Sequence, residues 1–495
     1  MDTTRPGPPC TIVIFGAAGD LTKRLLMPAI YNLASGKLFD DGLRVIGLDH
    51  NQRTTETWRT ELNDALQSFT QDAGAEFHPD RIDQPTWDWV AQRLEYQVFD
   101  FENAAGYAQL EQRLSAGNVI FYLAVAARFF GTIAEQLGSA GLLEEPGGAF
   151  RRIVVEKPFG LDLPSARALN AVLLEAASEQ QIYRIDHFLG KEPVQGIMPL
   201  RFSNGLFEPM WTREFIDSVQ ITAAETLGIE ERGSFYEKTG ALRDMIPNHL
   251  FSLLTMSAME PPASFGAEDV RNEKVKLLEA IRPIAPEDAA RGQYSAGALD
   301  GKPVRAYRAE DNVAADSRTE TYAALHVRIE NRRWSGVPFY VRTGKRLARH
   351  LTTISVRFRP AVQRMFRDAP ASVPTANVLT LGIAPDQGFS AAFSAKEPGP
   401  VLRLAGVHAG FAYKDFFEEP PAVGYETLLY HVMTGNTLLF QREDMVDASW
   451  SAVQPVLDAW AAARDPLPQY EPGSDGPATA AALLGRDGRS WLPLR

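Results

Sequence analysis

The 495-residue sequence contains a single cysteine, Cys10. One cysteine cannot form an internal disulfide, and such sparse use is typical of the reducing interior of a cell. Apolar runs are also short, and none approaches the roughly 20 residues that a membrane-spanning helix needs. Residues Met1–Pro9 carry neither the basic start nor the apolar stretch of a secretion signal. We therefore expect a cytoplasmic protein with no membrane partner.

Runs of basic residues are lacking as well. The formal net charge is −12, from 50 Lys and Arg against 62 Asp and Glu, and no Lys/Arg cluster is long enough to follow a nucleic acid. No nucleic-acid partner is therefore expected. An anionic small molecule is still compatible with this charge, because a few converging cations set the local potential of a cleft. The length, with 45% hydrophobic and 23% charged residues, predicts a folded chain of at least two domains.

The first part of the chain alternates two patterns. Segments with helical apolar spacing, such as 23–35 and 165–178, lie between short β-branched runs that are typical of buried strands. The strand-like runs are Thr11–Phe15, Arg44–Leu48, Asn118–Val125, Arg152–Val155 and Gln181–Ile185. This alternation predicts an α/β domain over residues 1–186, in which helices cover a parallel sheet.

After residue 186 the pattern becomes a looser alternation of apolar and polar residues, which indicates an antiparallel sheet with one covered face. The segments that show it are Ser218–Thr226, Tyr322–Asn331, Pro338–Thr343, Thr352–Phe358, Val378–Ala384 and Phe389–Ala395. Residues 187–495 are thus predicted to form a larger α+β domain with a mainly antiparallel sheet and helices.

The first candidate site is a glycine-containing turn directly after the strand TIVIF. Two glycines there allow the backbone to approach a pyrophosphate at the start of a helix, which favours a dinucleotide site. An Asp-Leu pair replaces the third glycine of the usual fingerprint, and the segment is also compatible with a tight turn alone. The candidate cofactor-binding residues in this turn are Gly16, Ala17, Ala18, Gly19, Asp20, Leu21 and Lys23.

Polar residues also follow two later strands. Lys157 comes after RIVV, at a carboxyl strand end, where open α/β sheets bind their ligands. Asp186, His187 and Lys191 follow the strand that ends at Ile185. His187 and Lys191 suit a phosphate, and Asp186 suits the orientation of a catalytic imidazole. The alternatives are a solvated lysine and a polar turn with a local ion pair.

A third candidate lies in the segment 240–256, which has helical apolar spacing. Pro247 is incompatible with a regular helix interior, so it predicts either a kink or a new helix that begins beside His249. A histidine at such a break suits a general base, and it also suits a capping or core residue with satisfied hydrogen bonds.

In this order, the motifs resemble the glucose-6-phosphate dehydrogenase family. The pairing of RIDHFLGKE with RDMIPNHL is more specific than any glycine-rich loop. The matching segments span nearly the whole chain: GAAGDLTKR (16–24), EKPFG (156–160), RIDHFLGKE (184–192), AET (224–226), ERGSFYEKTGALRDMIPNHL (231–250), RGQYSAG (291–297), RTGKRL (342–347) and GYETLL (424–429). The resemblance implies a Rossmann-type first domain and a second domain for substrate binding and assembly as a homodimer or homotetramer.

The resemblance also implies an activity, the oxidation of C1 of glucose 6-phosphate to a lactone in an oxidative pentose phosphate type of pathway. His249 would remove the C1 hydroxyl proton, and Asp186 would hold the imidazole and favour the imidazolium. No metal is required. The implied substrate contacts are His187 and Lys191 for the phosphate, Glu225 and Asp244 for sugar hydroxyls, Lys157 between cofactor and sugar, and Lys345 from the second domain.

Four residues depart from the family pattern. Phe188 replaces a tyrosine, Leu25 a lysine near the sugar, and Ala384 a common glutamine, while His350 stands where a basic phosphate contact is usual. These changes leave two alternatives open: a dehydrogenase of another sugar phosphate or free sugar, and a catalytically silent nucleotide-binding homologue. The intact acid–histidine pair argues against the second alternative.

The cofactor is predicted from residues after the second strand, where the family commonly presents an arginine to the 2′-phosphate of NADP. This chain has Asp49 and His50, followed by Arg53. An acid at this strand end accepts the free ribose 2′-hydroxyl of NAD and repels a phosphate, whereas Arg53 and Lys23 suit the phosphate. We expect NADP, with NAD or dual use as the alternative.

Overall fold

The computed structural model of the protein describes residues 5–72, 75–114, 117–360, 376–417 and 422–494. Within these ranges the chain forms a seven-stranded sheet, a nine-stranded sheet and a two-stranded ribbon. None of the helices in the described ranges is both long and apolar enough to cross a lipid bilayer.

The seven-stranded sheet has six parallel strands from the N-terminal part of the chain. Their order is β6-β5-β4-β1-β2-β3, so the chain changes direction across the sheet between β1 and β4, as in doubly wound folds. The predicted parallel sheet is thereby confirmed. The strands are β1 (Cys10–Phe15), β2 (Arg44–Asp49), β3 (Leu94–Val98), β4 (Asn118–Leu123), β5 (Arg151–Val155) and β6 (Ile182–Ile185).

Six α-helices among the described residues join these strands. A π-helical turn, Thr22–Leu26, precedes the first helix, and the Asp162 carboxylate caps the sixth by accepting the Ser165 N–H at 2.9 Å. The helices are α1 (Met27–Ser35), α2 (Thr55–Phe69), α3 (Gln84–Gln92), α4 (Ala104–Arg113), α5 (Phe130–Ser139) and α6 (Leu163–Ala176).

The described part of the chain contains twelve further strands, and nine of them form the second sheet. The further strands are β7 (Ile216–Ala224), β8 (Ala289–Tyr294), β9 (Gly297–Leu299), β10 (Lys302–Val304), β11 (Tyr322–Val327), β12 (Phe339–Gly344), β13 (Leu351–Phe358), β14 (Val378–Ala384), β15 (Gly388–Lys396), β16 (Leu404–Ala412), β17 (Phe440–Gln441) and β18 (Gln469–Tyr470). The order of the second sheet is β16-β15-β14-β13-β7-β12-β11-β8-β18. Among the described strands of this sheet, only the pairs β7–β12 and β8–β18 are parallel, which confirms a mainly antiparallel sheet.

Eight α-helices in the described ranges accompany these strands: α7 (Glu192–Gln195), α8 (Ile197–Phe202), α9 (Gly233–Met245), α10 (Phe251–Ala258), α11 (Ala267–Glu279), α12 (Tyr425–Thr434), α13 (Glu443–Ala462) and α14 (Ala478–Gly485). Between α9 and α10 lies a π-helical turn, Ile246–Leu250, that contains Pro247. The predicted break at this proline therefore takes the form of a widened helical turn, which joins two helices and carries His249.

The C-terminal part of the chain returns to the first sheet. Phe440 of β17 pairs antiparallel with Ile185 of β6, and Gln441 pairs with Arg184. The domain boundary that we predict at residue 186 falls directly after β6. Strand β17 lies in the C-terminal part of the chain, beyond that boundary, yet it belongs to the first sheet. Two segments far apart in sequence thus meet at the edge where the polar residues after β6 lie.

Candidate active site

Asp186 and His249 form a buried, hydrogen-bonded pair. Asp186 follows β6 at the carboxyl edge of the first sheet, and the π-helical turn carries His249 to it. The Nδ1 atom of His249 lies 2.5 Å from Oδ1 of Asp186, and each side chain is only 1% exposed. The second oxygen of Asp186 accepts a hydrogen bond from the Ser252 hydroxyl at 2.6 Å. The carboxylate therefore holds the imidazole in one orientation.

Phe188 also helps to orient the His249 imidazole and the Asp186 carboxylate. Its backbone N–H donates to Oδ1 of Asp186 at 3.0 Å, and its ring stacks on His249 with centroids 4.4 Å apart and planes 14° apart. The other imidazole nitrogen, Nε2, is buried and has no hydrogen-bond partner among the described residues. An unpaired buried polar atom costs free energy, so Nε2 is suited to pair with a bound ligand.

Burial and charge act in opposite directions on this pair. Burial lowers the pKa of the His249 imidazole below its usual value, and the Asp186 carboxylate offsets only part of that effect. Burial alone would raise the pKa of Asp186, but the His249 imidazole and the Ser252 hydroxyl hold it below its usual range. The resting pair is thus a neutral imidazole and a carboxylate. We expected Asp186 to favour the imidazolium, and its charge does so, but burial has the larger effect.

His187 and Lys191 lie beside the pair, and both are partly exposed. The His187 ring is 4.6 Å from the His249 ring, and Nζ of Lys191 lies 4.9 Å from the centre of the Phe188 ring. Burial, together with the nearby ammonium groups of Lys157 and Lys191, lowers the pKa of His187 well below its usual value. Lys191 therefore supplies the positive charge here, and His187 is an uncharged hydrogen-bond donor.

Two further acid–lysine pairs surround this region. Nζ of Lys157 donates to Oδ1 of Asp244 at 3.0 Å, and Nζ of Lys345 donates to the Glu225 carboxylate. Burial would raise the pKa of Asp244, but Lys157 and Lys345 hold it below its usual range. Glu225 and Lys345 directly follow β7 and β12, which are parallel neighbours, so both lie at one end of the second sheet. The structure thus brings the predicted substrate-binding residues Lys157, Asp244, Glu225 and Lys345 together in pairs.

His350 lies at the same end of the second sheet. The next residue, Leu351, pairs with Ala224, which directly precedes Glu225. His350 is exposed, and Ala384 ends the neighbouring strand β14. The predicted phosphate contact of His350 stays a prediction.

The glycine-containing turn lies between the ends of β1 and β4, where the strand order reverses. Gly16 has φ +86°, and a Cβ atom there would lie 2.2 Å from the carbonyl oxygen of Ala124, so only glycine fits. The Thr22 hydroxyl donates to the Gly16 carbonyl at 3.0 Å and holds the turn against the following helix. A dinucleotide binds at such a crevice in doubly wound sheets, and the residues of this turn fit one.

Asp49 ties the turn to β2. Its side chain is 5% exposed, and its oxygens accept the N–H groups of Ala18 at 3.0 Å and Asn51 at 3.1 Å. His50 Nδ1 lies 3.2 Å from the same carboxylate. The carboxylate is therefore engaged by its own chain at the position where we expected it to meet a ribose hydroxyl.

Two cations lie beyond the end of β2. Arg53 Nε and Lys23 Nζ both contact the carboxylate of Glu61, at 2.8 Å and 3.2 Å. Lys23 comes from the turn after β1, and Arg53 precedes α2, which carries Glu61. A shared acid thus holds two positive groups side by side at the end of the strand where a nucleotide ribose binds in such folds.

Asp186, His187 and His249 are also the described residues whose potential metal-binding atoms all lie within 4.8 Å of one another. However, His249 Nδ1 and Asp186 Oδ1 are 2.5 Å apart in a direct hydrogen bond. This distance leaves no room for an ion between the two atoms. The geometry is that of a proton-transfer pair.

Several residues of the site were not found by sequence reasoning. Ser252 lies three residues after His249, and helical spacing is the signal that could have placed it beside the same carboxylate. Gln441, which lies in β17, donates a hydrogen bond to Oδ2 of Asp186 at a distance of 3.4 Å. No local sequence pattern predicts the contact between Gln441 and Asp186, because it forms only when the C-terminal part of the chain returns to the edge of the first sheet.

The fold and the site together define a class of protein. A glycine turn at the reversal point of a doubly wound sheet binds a dinucleotide, and a buried carboxylate–histidine pair beside it can take a proton from a substrate hydroxyl. These two features define a dinucleotide-dependent dehydrogenase.

Two family models match nearly the whole chain. The model described as glucose-6-phosphate dehydrogenase, NAD binding domain, matches residues 13–196, and the model described as glucose-6-phosphate dehydrogenase, C-terminal domain, matches residues 198–492. The chain therefore belongs to the glucose-6-phosphate dehydrogenase family, which confirms the resemblance seen in its motifs.

Known relatives agree over their full length. The glucose-6-phosphate 1-dehydrogenase of Chlamydia pneumoniae is 40% identical over 509 residues, which cover 100% of this chain and 98% of that protein. The crystal structure of glucose-6-phosphate 1-dehydrogenase from Mycobacterium avium has a TM-score of 0.84 at 35% identity, covering 98% of each chain. A structure of a glucose-6-phosphate dehydrogenase in complex with its substrate glucose-6-phosphate has a TM-score of 0.87 at 30% identity, covering 99% of this chain and 100% of that chain.

Proposed function

We propose that the protein oxidises C1 of glucose 6-phosphate to 6-phosphoglucono-lactone and transfers a hydride to NADP or NAD, in an oxidative pentose phosphate type of pathway in the cytoplasm. The observation that carries this proposal is the buried Asp186–His249 pair, whose Nε2 atom has no partner among the described residues. Membership of the family supports the choice of substrate.

The two residues of the pair have different parts in the reaction. The Nε2 atom of His249 accepts the proton of the C1 hydroxyl, the C1–H bond breaks, and the C1–O bond becomes the carbonyl of the lactone. A bound nicotinamide supplies the acceptor for the hydride that leaves C1. The imidazolium that forms is stabilised by Asp186, whose carboxylate accepts the Nδ1–H.

The surrounding charges bind and orient the sugar. Lys191 supplies the charge for the 6-phosphate, and His187 donates a hydrogen bond to it. Asp244 and Glu225 accept hydrogen bonds from sugar hydroxyls, because carboxylates are acceptors only. Their partners, Lys157 and Lys345, hold the two carboxylates by direct hydrogen bonds.

The test is the formation of reduced nicotinamide, followed by absorbance with purified protein. Glucose 6-phosphate is offered with NADP and with NAD, beside glucose and other hexose 6-phosphates. We expect the highest kcat/KM with glucose 6-phosphate. Higher values for another sugar phosphate would favour the alternative substrate, and absence of turnover with either cofactor would contradict the proposal.

The pH profile follows from the lowered pKa of His249. A proton acceptor must be unprotonated, and burial stabilises the neutral imidazole, so kcat/KM is expected to be constant above about pH 6.5. The acidic limb should begin below that value and fall about tenfold per pH unit. Initial rates between pH 5 and 9, at subsaturating substrate, check this. An acidic limb centred above pH 7 would contradict the role of burial.

Cofactor preference is expected to depend on Arg53. With Lys23 and Glu61 it forms the cationic end of the cofactor site, and its guanidinium is suited to the 2′-phosphate of NADP. Arg53→Ala should raise the KM for NADP about 10- to 100-fold and change the KM for NAD much less. The exposed Arg81→Ala is the control. Equal effects on both cofactors would contradict a phosphate contact.

We also propose that the protein is a homo-oligomer. The second sheet ends at β16, and its last two strands expose apolar side chains, among them Phe393 (46% exposed) and Val407 (41% exposed). Exposed apolar patches of this kind mark contact surfaces. Light scattering at micromolar concentration should give a dimer or tetramer, and Phe393→Glu should shift it towards the monomer. A monomeric wild type would contradict this assignment.

A further inference from the structure

Lys274 is a buried lysine that the mechanism above does not use. It lies in α11, is 2% exposed, and its ammonium group donates to the backbone carbonyl of Leu438 at 3.2 Å. Buried lysines are rare, because removing an ammonium group from water is costly. Because Lys274 lies near the Asp186–His249 pair, its charge can influence the proton transfer.

A small cavity connects Lys274 to the back of the pair. The cavity has a volume of about 20 Å³, and its polar lining includes Lys274, Ser252 and Gln441. This volume has room for one water molecule. Ser252 and Gln441 both donate to Oδ2 of Asp186, at 2.6 Å and 3.4 Å. Two of the side chains that line the cavity with Lys274 therefore hold the Asp186 oxygen that does not face His249, and the Asp186 charge acts on the Lys274 ammonium.

We propose that Lys274 is a positioning residue that sets the pH range of the reaction. Its positive charge, behind Asp186, disfavours a second positive charge on His249 and so keeps that imidazole free to accept the hydroxyl proton. The inference rests on the proposed function of the pair. Burial lowers the pKa of Lys274 to about 8, so the ammonium is still charged where His249 titrates.

Other charges act on the same pair, but none of the described residues that carry them lines the cavity beside Lys274. The cavity-lining residues of α10, α13 and β17 are uncharged. Among the described residues, the charged and titratable groups that face the pair or Lys274 are Lys157 and Glu156 after β5, Asp186, His187 and Lys191 after β6, Asp244 in α9, Arg271 in α11 and Tyr425 in α12. Replacing Lys274 therefore removes the charge behind Asp186 while leaving the substrate-facing cations in place.

The experiment compares pH profiles of kcat/KM for the wild type and variants at position 274. Lys274→Met keeps the apolar stem and removes the charge, and Lys274→Gln keeps a polar end for the Leu438 carbonyl. Both should move the acidic limb upwards by about 0.5 to 1.5 pH units, while the KM for glucose 6-phosphate at pH 8 changes less than threefold. Lys274→Arg should restore the position of the wild-type limb.

The matched control is Lys276→Met, in the same helix, where the lysine side chain is 68% exposed and pairs with Glu273. Its profile should coincide with that of the wild type. An unchanged acidic limb in a folded neutral variant would overturn the proposal. Failure of both neutral variants to fold, with a folded Lys274→Arg, would make the charge a requirement of folding and overturn it as well. A wild type without turnover would instead contradict the proposed function itself.

Discussion

Replacing His249 with asparagine is expected to lower kcat by about 10²- to 10⁴-fold, the usual contribution of general base catalysis. Asparagine is polar and smaller, and can still donate to Asp186, but it has no basic nitrogen where Nε2 lies. The KM for glucose 6-phosphate should change little, because the phosphate and most hydroxyls bind elsewhere. Initial rates of reduced-nicotinamide formation at saturating substrate give this comparison directly.

The control for this change is His78→Asn, at an exposed histidine of the first domain. It should leave kcat within twofold of the wild type. His249→Asn activity within tenfold of the wild type would show that another group takes the proton.

Asp186→Asn should also lower kcat, and the double variant should be no slower than His249→Asn alone, because the two residues act as a unit.

Much of the fold could be predicted from the sequence, because buried parallel strands are continuous apolar runs. The runs at β1, β2, β4, β5 and β6 are of this kind. Strand β3 was missed: of its residues Leu94–Val98, only Leu94 is buried. Strand β16 was missed as well, since it is the edge strand of the second sheet and none of its residues is buried. Edge strands lack the burial that produces a clear pattern.

The site was predictable where motifs carry its chemistry, and not where distant segments meet. Asp186 and His249 lie in recognisable motifs, and Pro247 predicts the irregular helical turn that brings the two residues together. Lys274 and Gln441 stand in no such motif, and their relation to Asp186 exists only after folding. The protonation state of His249 could not be predicted from the sequence either, since it depends on how completely the folded chain removes the imidazole from water.

The phosphate end of the site is expected to depend most on Lys191. His187 is uncharged before substrate binds, because burial and nearby cations lower its pKa, so the first positive charge that a phosphate meets is the Lys191 ammonium. Phe188 has no phenolic hydroxyl to share that task. Lys191→Met should therefore raise the KM for glucose 6-phosphate about 10- to 150-fold, the loss of one or two charge-assisted hydrogen bonds.

The selectivity of this variant separates phosphate binding from a general loss of function. Glucose has no phosphate, so its slow turnover should be nearly unchanged, and the preference for glucose 6-phosphate over glucose should fall by the same 10- to 150-fold factor. Lys302→Met, at an exposed lysine in β10, is the control and should leave both values unchanged. Equal losses with both sugars would mean that Lys191 supports the catalytic pair and not the phosphate. An unchanged KM would mean that other residues bind the phosphate, and His350 at the end of the second sheet is the first of these to test.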